Sequence, residues 1–461
     1  MSEKGRPLGG KMGEGQNVKV SIIIYVKNTV DYIEQCVRSV MNQTLQEIEI
    51  FVVDGGSTDG TLEIIEGLKK EDDRIRIRYT HSSVGAQFNL GLKEARGEYI
   101  GICEADDYLL PDMYQKQYEI AKENQLDVLR AGYYQVCTKN NAEYRFPLKA
   151  CWKKEMTEKV IQVENGMFFL EQGMNGFWNG IYRRQFLTDN HIWMNETKGA
   201  AHQDITFSFF AQLYARKIWF MEEAFYCYRI DNPFASANSL NGIKLHIREY
   251  EELRKRLVGA GMWEPYKNLF FSWELVSYKW FLGELPKRIQ NEKAEEVYQC
   301  LKKQAEENGF RTEYVWREVE DLAKKLYCGK SDFIQYFMLD TKERERLQEY
   351  ITGSFKEDKY VILFGIGHIG KLVHCFLKMC KKEVLLTDNS EWLQTMGFMG
   401  EKVYHPEEAV KKFPHGNYIV ANITYAEQMR TQLFKLGIQR ENVFLCDNED
   451  FFLRKIFVKE E

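Results

Sequence analysis

Between Val18 and about Asn241, short apolar runs alternate with segments whose apolar residues recur every three or four positions. That is the pattern of strands layered with helices. Val20 to Tyr25 is a nearly unbroken apolar run, as expected of a strand buried on both faces. Ile33, Val37, Val40 and Met41 follow at helical spacing. Glu49 to Val53 is a second predicted strand, after which Leu62, Ile65 and Leu68 open a second helix. From Arg74 to Tyr79, arginines alternate with Ile75, Ile77 and Tyr79, which suits a half-exposed edge strand. Tyr99 to Cys103 reads as another buried strand, and it runs directly into Glu104-Ala105-Asp106-Asp107.

Strand signals vanish from about Gly242 to Gly353, where helical periods are interrupted by Gly259, Gly261, Pro286 and Gly309. A second α/β pattern begins near Lys356. Lys359–Phe364 is a predicted strand, Gly365-Ile366-Gly367-His368-Ile369-Gly370 a tight turn and Lys371–Met379 a helix. Glu383–Thr387 is the next strand, ending at Asp388, with later strands at Tyr418–Val420 and Asn442–Leu445. The expected organisation is a flexible leader over 1–17, an α/β domain over 18–241, a helical connector over 242–353 and a second, small α/β domain over 356–461.

Charge and composition narrow the function. Among 461 residues, 63 basic and 68 acidic side chains leave a net charge of −5, too balanced for a general nucleic-acid binder. The most apolar long segment, Asn268 to Leu285, is broken by Glu274, Lys279 and Glu284, so no transmembrane segment is expected. Ten cysteines without a C-x-x-C pair argue against a zinc site and against a disulfide scaffold, and they point to the reducing cytoplasm.

The chemistry gathers at strand ends. In an open α/β sheet, ligands collect outside the carboxyl ends of the strands. Asp54 and the Glu104–Asp107 cluster both fall there. Converging carboxylates repel unless a hard cation joins them, and Mg²⁺ or Mn²⁺ is suited because it shares oxygen ligands with phosphates. With Val20–Asn28, Ser39–Thr44, Val52–Thr61, Asn89–Leu92, Ala95–Ile100, Glu104–Asp107 and Pro111 in this order and spacing, residues 20–112 resemble a family 2 glycosyltransferase of the bacterial polysaccharide type. An echo covers residues 178–239, at Tyr182-Arg183-Arg184, Gln203-Asp204 and Tyr226-Cys227-Tyr228-Arg229.

The resemblance implies the GT-A fold, a Rossmann-like sheet binding a nucleotide-sugar. It also implies an inverting, metal-dependent transfer of the hexosyl type, from a nucleoside-diphosphate sugar to a hydroxyl of a glycan or lipid-linked acceptor. Asp106 and Asp107 become the metal ligands, and Glu104 and Asp106 contact the donor. Asp204 becomes the general base, and Arg229 stands near the phosphates. Tyr25, Asn28 and Asp54 line the nucleotide pocket. The same residues keep plainer readings. Asp54 can start the following turn by accepting from its own backbone. Asp107 can belong to an acidic turn before the helix opened by Pro111. Asp204 can be a helix N-terminal aspartate, and Arg229 a salt-bridged one. His202 reads as polar packing, and Trp178 and Trp193 as core or as sugar-stacking rings.

Lys27, Gly55 and Phe88 depart from the family pattern, all in the nucleotide pocket, which leaves the base identity open. They also motivate a second reading, a non-catalytic glycan- or nucleotide-binding module. In the second α/β domain, Gly365, Gly367 and Gly370 between strand and helix, with Asp388 ending the next strand, form a candidate second nucleotide site for NAD or another nucleotide. A bifunctional protein acting on the donor with NAD is therefore a third reading. Peripheral association at the inner membrane face is compatible with a lipid-linked acceptor.

Overall fold

The computed structural model describes residues 17–139, 142–150, 154–164, 176–232, 235, 242–284, 287–311, 314–316, 319–334, 346–347, 349–351, 360–379, 382–398, 400–422 and 425–447. The expected leader, apart from Asn17, and the expected boundary between 353 and 356 lie outside the described residues. The chain divides into two compact units, Met1–Trp273 and Glu274–Glu461.

The first unit contains β1 (Val20–Val26), α1 (Ile33–Met41), β2 (Ile48–Asp54), α2 (Thr61–Glu71), β3 (Ile75–Tyr79), α3 (Val84–Glu94), β4 (Tyr99–Ile102), β5 (Tyr108–Leu109) and α4 (Met113–Asn124). Then come β6 (Val128–Lys139), β7 (Ala142–Leu148), β8 (Val160–Gln162), β9 (Gly180–Arg183), α5 (Arg184–Asp189), α6 (Asp204–Tyr214), β10 (Lys217–Arg229) and α7 (Gly242–Gly259). Helix α8 (Trp263–Glu284) contains the division between the units.

One sheet runs β3-β2-β1-β4-β9-β6-β10-β5, with β7 on β6 and β8 on β10. Strands β1, β2, β3 and β4 are mutually parallel, and every residue of β1, β2 and β4 is buried. The unbroken apolar runs therefore became central parallel strands covered on both faces. Register places Val26 opposite Asp54 and Ile23 opposite Ile102, so the carboxyl ends of these strands share one edge. Beyond β4 the sheet turns mixed: β9 is antiparallel to β4 and β6, while β10 is parallel to β6 and antiparallel to β5.

Glu49, near the start of β2, is a carboxylate within the buried strands. It is fully buried and accepts from Ser21 Oγ at 2.6 Å, the Arg96 amide at 2.7 Å and Arg96 Nη2 at 2.9 Å. The Gly97 amide in turn donates to Ser21 Oγ at 2.8 Å. Glu49 thus ties two central strands to the turn that launches β4, and a buried charge is tolerated there because it is fully hydrogen-bonded.

In the second unit, helices α9 (Lys287–Asn308) and α10 (Glu320–Cys328) precede β11 (Val361–Phe364), α11 (His368–Met379), β12 (Val384–Thr387), α12 (Glu391–Met396), β13 (Val403–Tyr404), α13 (Pro406–Lys412), β14 (Asn417–Ala421), α14 (Ala426–Lys435) and β15 (Val443–Cys446). Five parallel strands are ordered β13-β12-β11-β14-β15. Ile362, Phe364, Tyr418 and Val420 pack with Met429 and Leu433 of α14 in one apolar layer. The fold class is α/β, with a Rossmann-like mixed sheet in the first unit and a second, all-parallel sheet. Among the described residues, no helix is long and apolar enough to cross a membrane.

Replacing Glu49 with leucine strands Ser21 and the Arg96 amide, at an expected cost of about 2–4 kcal/mol. Glu49→Gln, which keeps an acceptor for both, costs less. Urea unfolding midpoints at constant slope measure the difference, and equal midpoints for wild type and Glu49→Leu would refute this role.

Candidate functional site

The strand order reverses between β1 and β4, and the crevice there is where an open α/β sheet admits a ligand. Tyr25, near the end of β1, donates its hydroxyl across this crevice to Glu104 Oε1 at 2.9 Å. Glu104 and Asp106 are half-buried and keep solvent access, whereas Asp107 is only 1% exposed. The Asp107 carboxylate accepts the Arg229 amide at 2.7 Å and the Tyr226 hydroxyl at 2.8 Å, and the same hydroxyl accepts the Glu104 amide at 3.0 Å. Behind it, Trp178 stacks on Tyr226 and Tyr228 at 4.2 and 5.1 Å between ring centroids. Trp178 is a core ring here. Under the loop, Cys36 and Cys103 are both buried, their sulfurs 3.5 Å apart.

Asp106 and Asp107 are therefore not presented as a pair. The outward-reaching acids are Glu104 and Asp106, and Asp107 turns into the protein. Asp106 Oδ2 accepts from Asn232 at 2.8 Å. The Arg229 side chain braces the loop from below: Nε donates to the Asp106 carbonyl at 2.9 Å, Nη2 donates to Gln35 at 2.7 Å, and the guanidinium lies 5.0 Å from the Tyr32 ring. Among the described residues, no lysine or arginine pairs with the carboxylates of Glu104, Asp106 or Asp204. Nor do three Asp, Glu, His or Cys side chains form a ready-made metal site.

Asp204 opens α6. Phe207, one turn on, is wedged against Phe88, Tyr182 and Phe177 at ring distances of 5.3, 5.1 and 6.3 Å, which fixes the helix end. The preceding segment is strapped down. Asn89 of α3 donates to the Met194 carbonyl at 2.9 Å and accepts the Met194 amide at 3.0 Å. Glu249 of α7 is fully buried and accepts from Asn195 and Arg248, both at 2.9 Å, and from Thr197. Gly85 must be glycine, because a Cβ there would stand 1.8 Å from the Asn195 carbonyl oxygen.

The electrostatics join these parts. Burial pushes the Glu104 carboxyl up to about 8, with the charges of Asp106 and Asp204 acting in the same direction and the Tyr25 bond opposing them. Burial likewise pushes Asp204 up to about 6, Glu249 adding to it. Tyr25 is raised by burial and by the charges of Glu104, Asp204 and Asp106. Asp204 thus stands within electrostatic reach of Tyr25 and Glu104. His202 has a φ of 68° and packs edge-on against His246 at 4.5 Å, and burial holds it down at about 4, a neutral packing residue.

Asp54 and Asn28 sit on the same edge and serve loop geometry. Asp54 is 3% exposed, and its carboxylate accepts the amides of Gly56 at 2.9 Å and Ser57 at 3.2 Å, starting its own turn. Asn28 accepts the Thr58 amide at 2.8 Å and donates its own amide to Ser57 Oγ at 3.0 Å. Among the described residues, no hydrogen bond links either to Glu104 or Asp106. Gln87 lies outside the sequence motifs. It accepts the Val26 amide at 3.2 Å and lies 2.4 Å from where a Cβ on Gly55 would stand, so residue 55 is glycine beneath this clamp. Tyr226 and Asn232 were also unassigned; the alternation of Tyr226 and Tyr228 along β10 is the signal that groups the two rings on one strand face.

In the second unit, Gly370 packs against the turn, since a Cβ there would be 1.8 Å from the Gly365 carbonyl oxygen, while Gly367 faces open space. Asp388 ends β12, and its carboxylate accepts the Ile366 amide at 2.7 Å and the Ser390 amide at 2.8 Å.

Comparison with known proteins places this geometry. The model of the family described as glycosyl transferase family 2 matches residues 21–187. The chain is 33% identical over 241 residues to the uncharacterized glycosyltransferase EpsJ of Bacillus subtilis, covering 51% of this chain and 67% of that protein. It is 28% identical over 269 residues to the cholesterol galactosyltransferase of Borreliella burgdorferi, covering 56% of this chain and 73% of the relative. Among solved structures, residues 1–349 of S. aureus TarS in complex with UDP-GlcNAc align with a TM-score of 0.47 at 19% identity, over 74% of this chain and 93% of that one. The matched segment begins in β1 and holds the whole acidic loop, and with that shared sequence the chain belongs to glycosyl transferase family 2 and is a glycosyltransferase.

Proposed function

We propose that the chain moves a sugar, with inversion at the anomeric carbon, from a nucleoside-diphosphate sugar to a hydroxyl of a glycan or lipid-linked acceptor. The observation that supports this best is the electrostatic coupling of Glu104, Asp106 and Asp204, brought from distant parts of the chain to the switch point of the sheet.

A divalent ion fits the donor set. Two half-buried carboxylates, Glu104 and Asp106, with no cationic partner among the described residues and with the charge of Asp106 adding to the rise of Glu104, are oxygen ligands suited to Mg²⁺ or Mn²⁺ shared with diphosphate oxygens. In this reading Glu104 and Asp106 hold the ion. When bound it supplies positive charge toward the departing nucleoside diphosphate. Asp107, Tyr226 and Arg229 keep the loop in shape, and Arg229 adds positive potential beneath it. Tyr25, Asn28 and Asp54 form the rim that seats the nucleoside.

Asp204 takes the proton from the acceptor hydroxyl as its oxygen attacks. Held up to about 6, this carboxyl is ionised at neutral pH, yet basic enough for general-base work. A single base and a single in-line displacement give inversion.

Asp204→Asn is expected to lower kcat by about 10²–10⁴-fold with donor binding retained. Wild-type kcat/KM should rise with pH through about 6 and then level. Release of nucleoside diphosphate, screened over several donors with Mn²⁺, reads both, and an Asp204→Asn variant at full rate would sink the assignment.

Glu104 gives a second test. Its proton is held by the folded chain and lost by the unfolded one between the ordinary value of 4.5 and about 8. Stability of the metal-free protein should therefore fall as pH rises through that window. Glu104→Gln should flatten the slope, and Mn²⁺ with a nucleoside diphosphate should release protons on binding near pH 7. A stability flat with pH in the wild type, together with ion binding that releases no proton, contradicts the role given to Glu104.

Tyr226→Phe removes the oxygen that joins Asp107 to the Glu104 amide. It should cost about 1–3 kcal/mol of stability and weaken Mn²⁺-dependent nucleotide binding as well. Loss of stability with unchanged nucleotide affinity would make Tyr226 a fold residue alone.

A further inference from the structure

We infer that the second unit carries its own binding site for a neutral, polyhydroxylated ligand the size of one sugar ring. A cavity of about 290 Å³ opens at the carboxyl ends of β11, β12 and β14, lined by Gly365, Asp388, Asn422 and, from α14 and its approach, Tyr425, Gln428 and Gln432. The strand order β13-β12-β11-β14-β15 reverses between β11 and β14, so this cavity occupies the switch point of the second sheet, as the acidic crevice does in the first.

The lining selects the ligand. Asn389, Gln428 and Gln432 supply carboxamides, each with donors and acceptors, beside the Tyr425 ring and the Met429 thioether, while Asn422 holds the loop by accepting the Tyr425 amide at 2.8 Å. Asn389 and Gln432 pair reciprocally, at 3.0 Å in both directions, which leaves each amide a further donor and acceptor. Tyr425 is 50% exposed, an aromatic ring left at the mouth. Amides that both give and take hydrogen bonds, next to a flat ring, match hydroxyl groups on a ring with an apolar face.

The same lining argues against a dinucleotide. None of the lining residues is cationic, so a pyrophosphate there would find no counter-charge and would face the Asp388 carboxylate. Each oxygen of Asp388 accepts one backbone amide, from Ile366 and Ser390, which leaves each oxygen one lone pair for a ligand hydroxyl. A volume of about 290 Å³ is at the low end for small-molecule sites, which span about 300–1,000 Å³, and suits one ring rather than a dinucleotide. Glycines at 365, 367 and 370 in this unit thus shape a turn without completing an NAD site.

This inference does not rest on sugar transfer by the first unit. The test titrates the full chain by calorimetry with monosaccharides, with nucleosides and with NAD. It compares wild type, a Tyr425→Ala, Gln428→Ala double variant of two exposed side chains, and Asp204→Asn. Saturable millimolar or tighter binding of a monosaccharide or a nucleoside is expected, weakened about tenfold or more by the double variant and unchanged in Asp204→Asn. Preference for monosaccharides identifies a free sugar as the ligand, and preference for nucleosides identifies a ribosyl group. Absence of binding by every neutral ligand up to about 20 mM, binding untouched by the double variant, or NAD binding tighter than adenosine and lost in that variant overturns the inference.

Discussion

Placement of Glu104 and Asp106 depends on a carboxylate that the solvent does not reach, that of Asp107. Burying an ionisable carboxyl is costly unless its oxygens are satisfied, and Asp107 has one backbone amide and one phenol to satisfy them. Because the phenol belongs to Tyr226 and also receives the Glu104 amide, the last strand of the first unit dictates the path of a loop more than a hundred residues earlier in the chain. The pairing of β5 with β10 closes the same loop from the other side. With the backbone of Glu104–Asp107 fixed at both ends, the side chains of Glu104 and Asp106 remain half-buried at the crevice, and the charge of Asp106 adds to the rise of Glu104. On the proposed function, a cation would relieve that tension.

Asp204 is positioned by a different kind of force. Aromatic packing around Phe207 sets the direction of α6, and the hydrogen bonds of Glu249 and Asn89 set the segment before it. Position and ionisation are linked there, because burial and the charge of Glu249, which also holds the preceding segment, both raise Asp204.

Much of this was legible from the residues. Unbroken apolar runs marked β1, β2 and β4 because strands covered on both faces leave no polar alternation to read. The spacing of Asp54 and Glu104–Asp107 placed both at carboxyl ends, and Tyr25 is close to the acids. What could not be read was direction. In a loop the two-residue period no longer applies, so adjacent aspartates at 106 and 107 gave no sign that one faces out and the other in. Asp54 read first as a nucleotide contact and second as a turn-starter, and its hydrogen bonds from Gly56 and Ser57 display the turn-forming role. Strands β6 and β10 escaped because Arg130, Glu222 and Glu223 interrupt their patterns; β10 shifts register against β6 near those glutamates. In the second unit, the glycine spacing located the turn correctly, but the hydrogen bonds of Asp388 could not be anticipated from its place in line.

Residue 85 carries no functional atom, yet its missing methyl group is what lets helix α3 lie against the carbonyl of Asn195. Any side chain introduced there forces the 194–197 strap to be laid differently, and with it the approach to α6, because the Asn195 amide donates to the Gln203 carbonyl. On the role proposed for Asp204, drift at this position would be felt as a decline in turnover. A missing methyl group in α3 would then govern the rate without contributing a reactive atom.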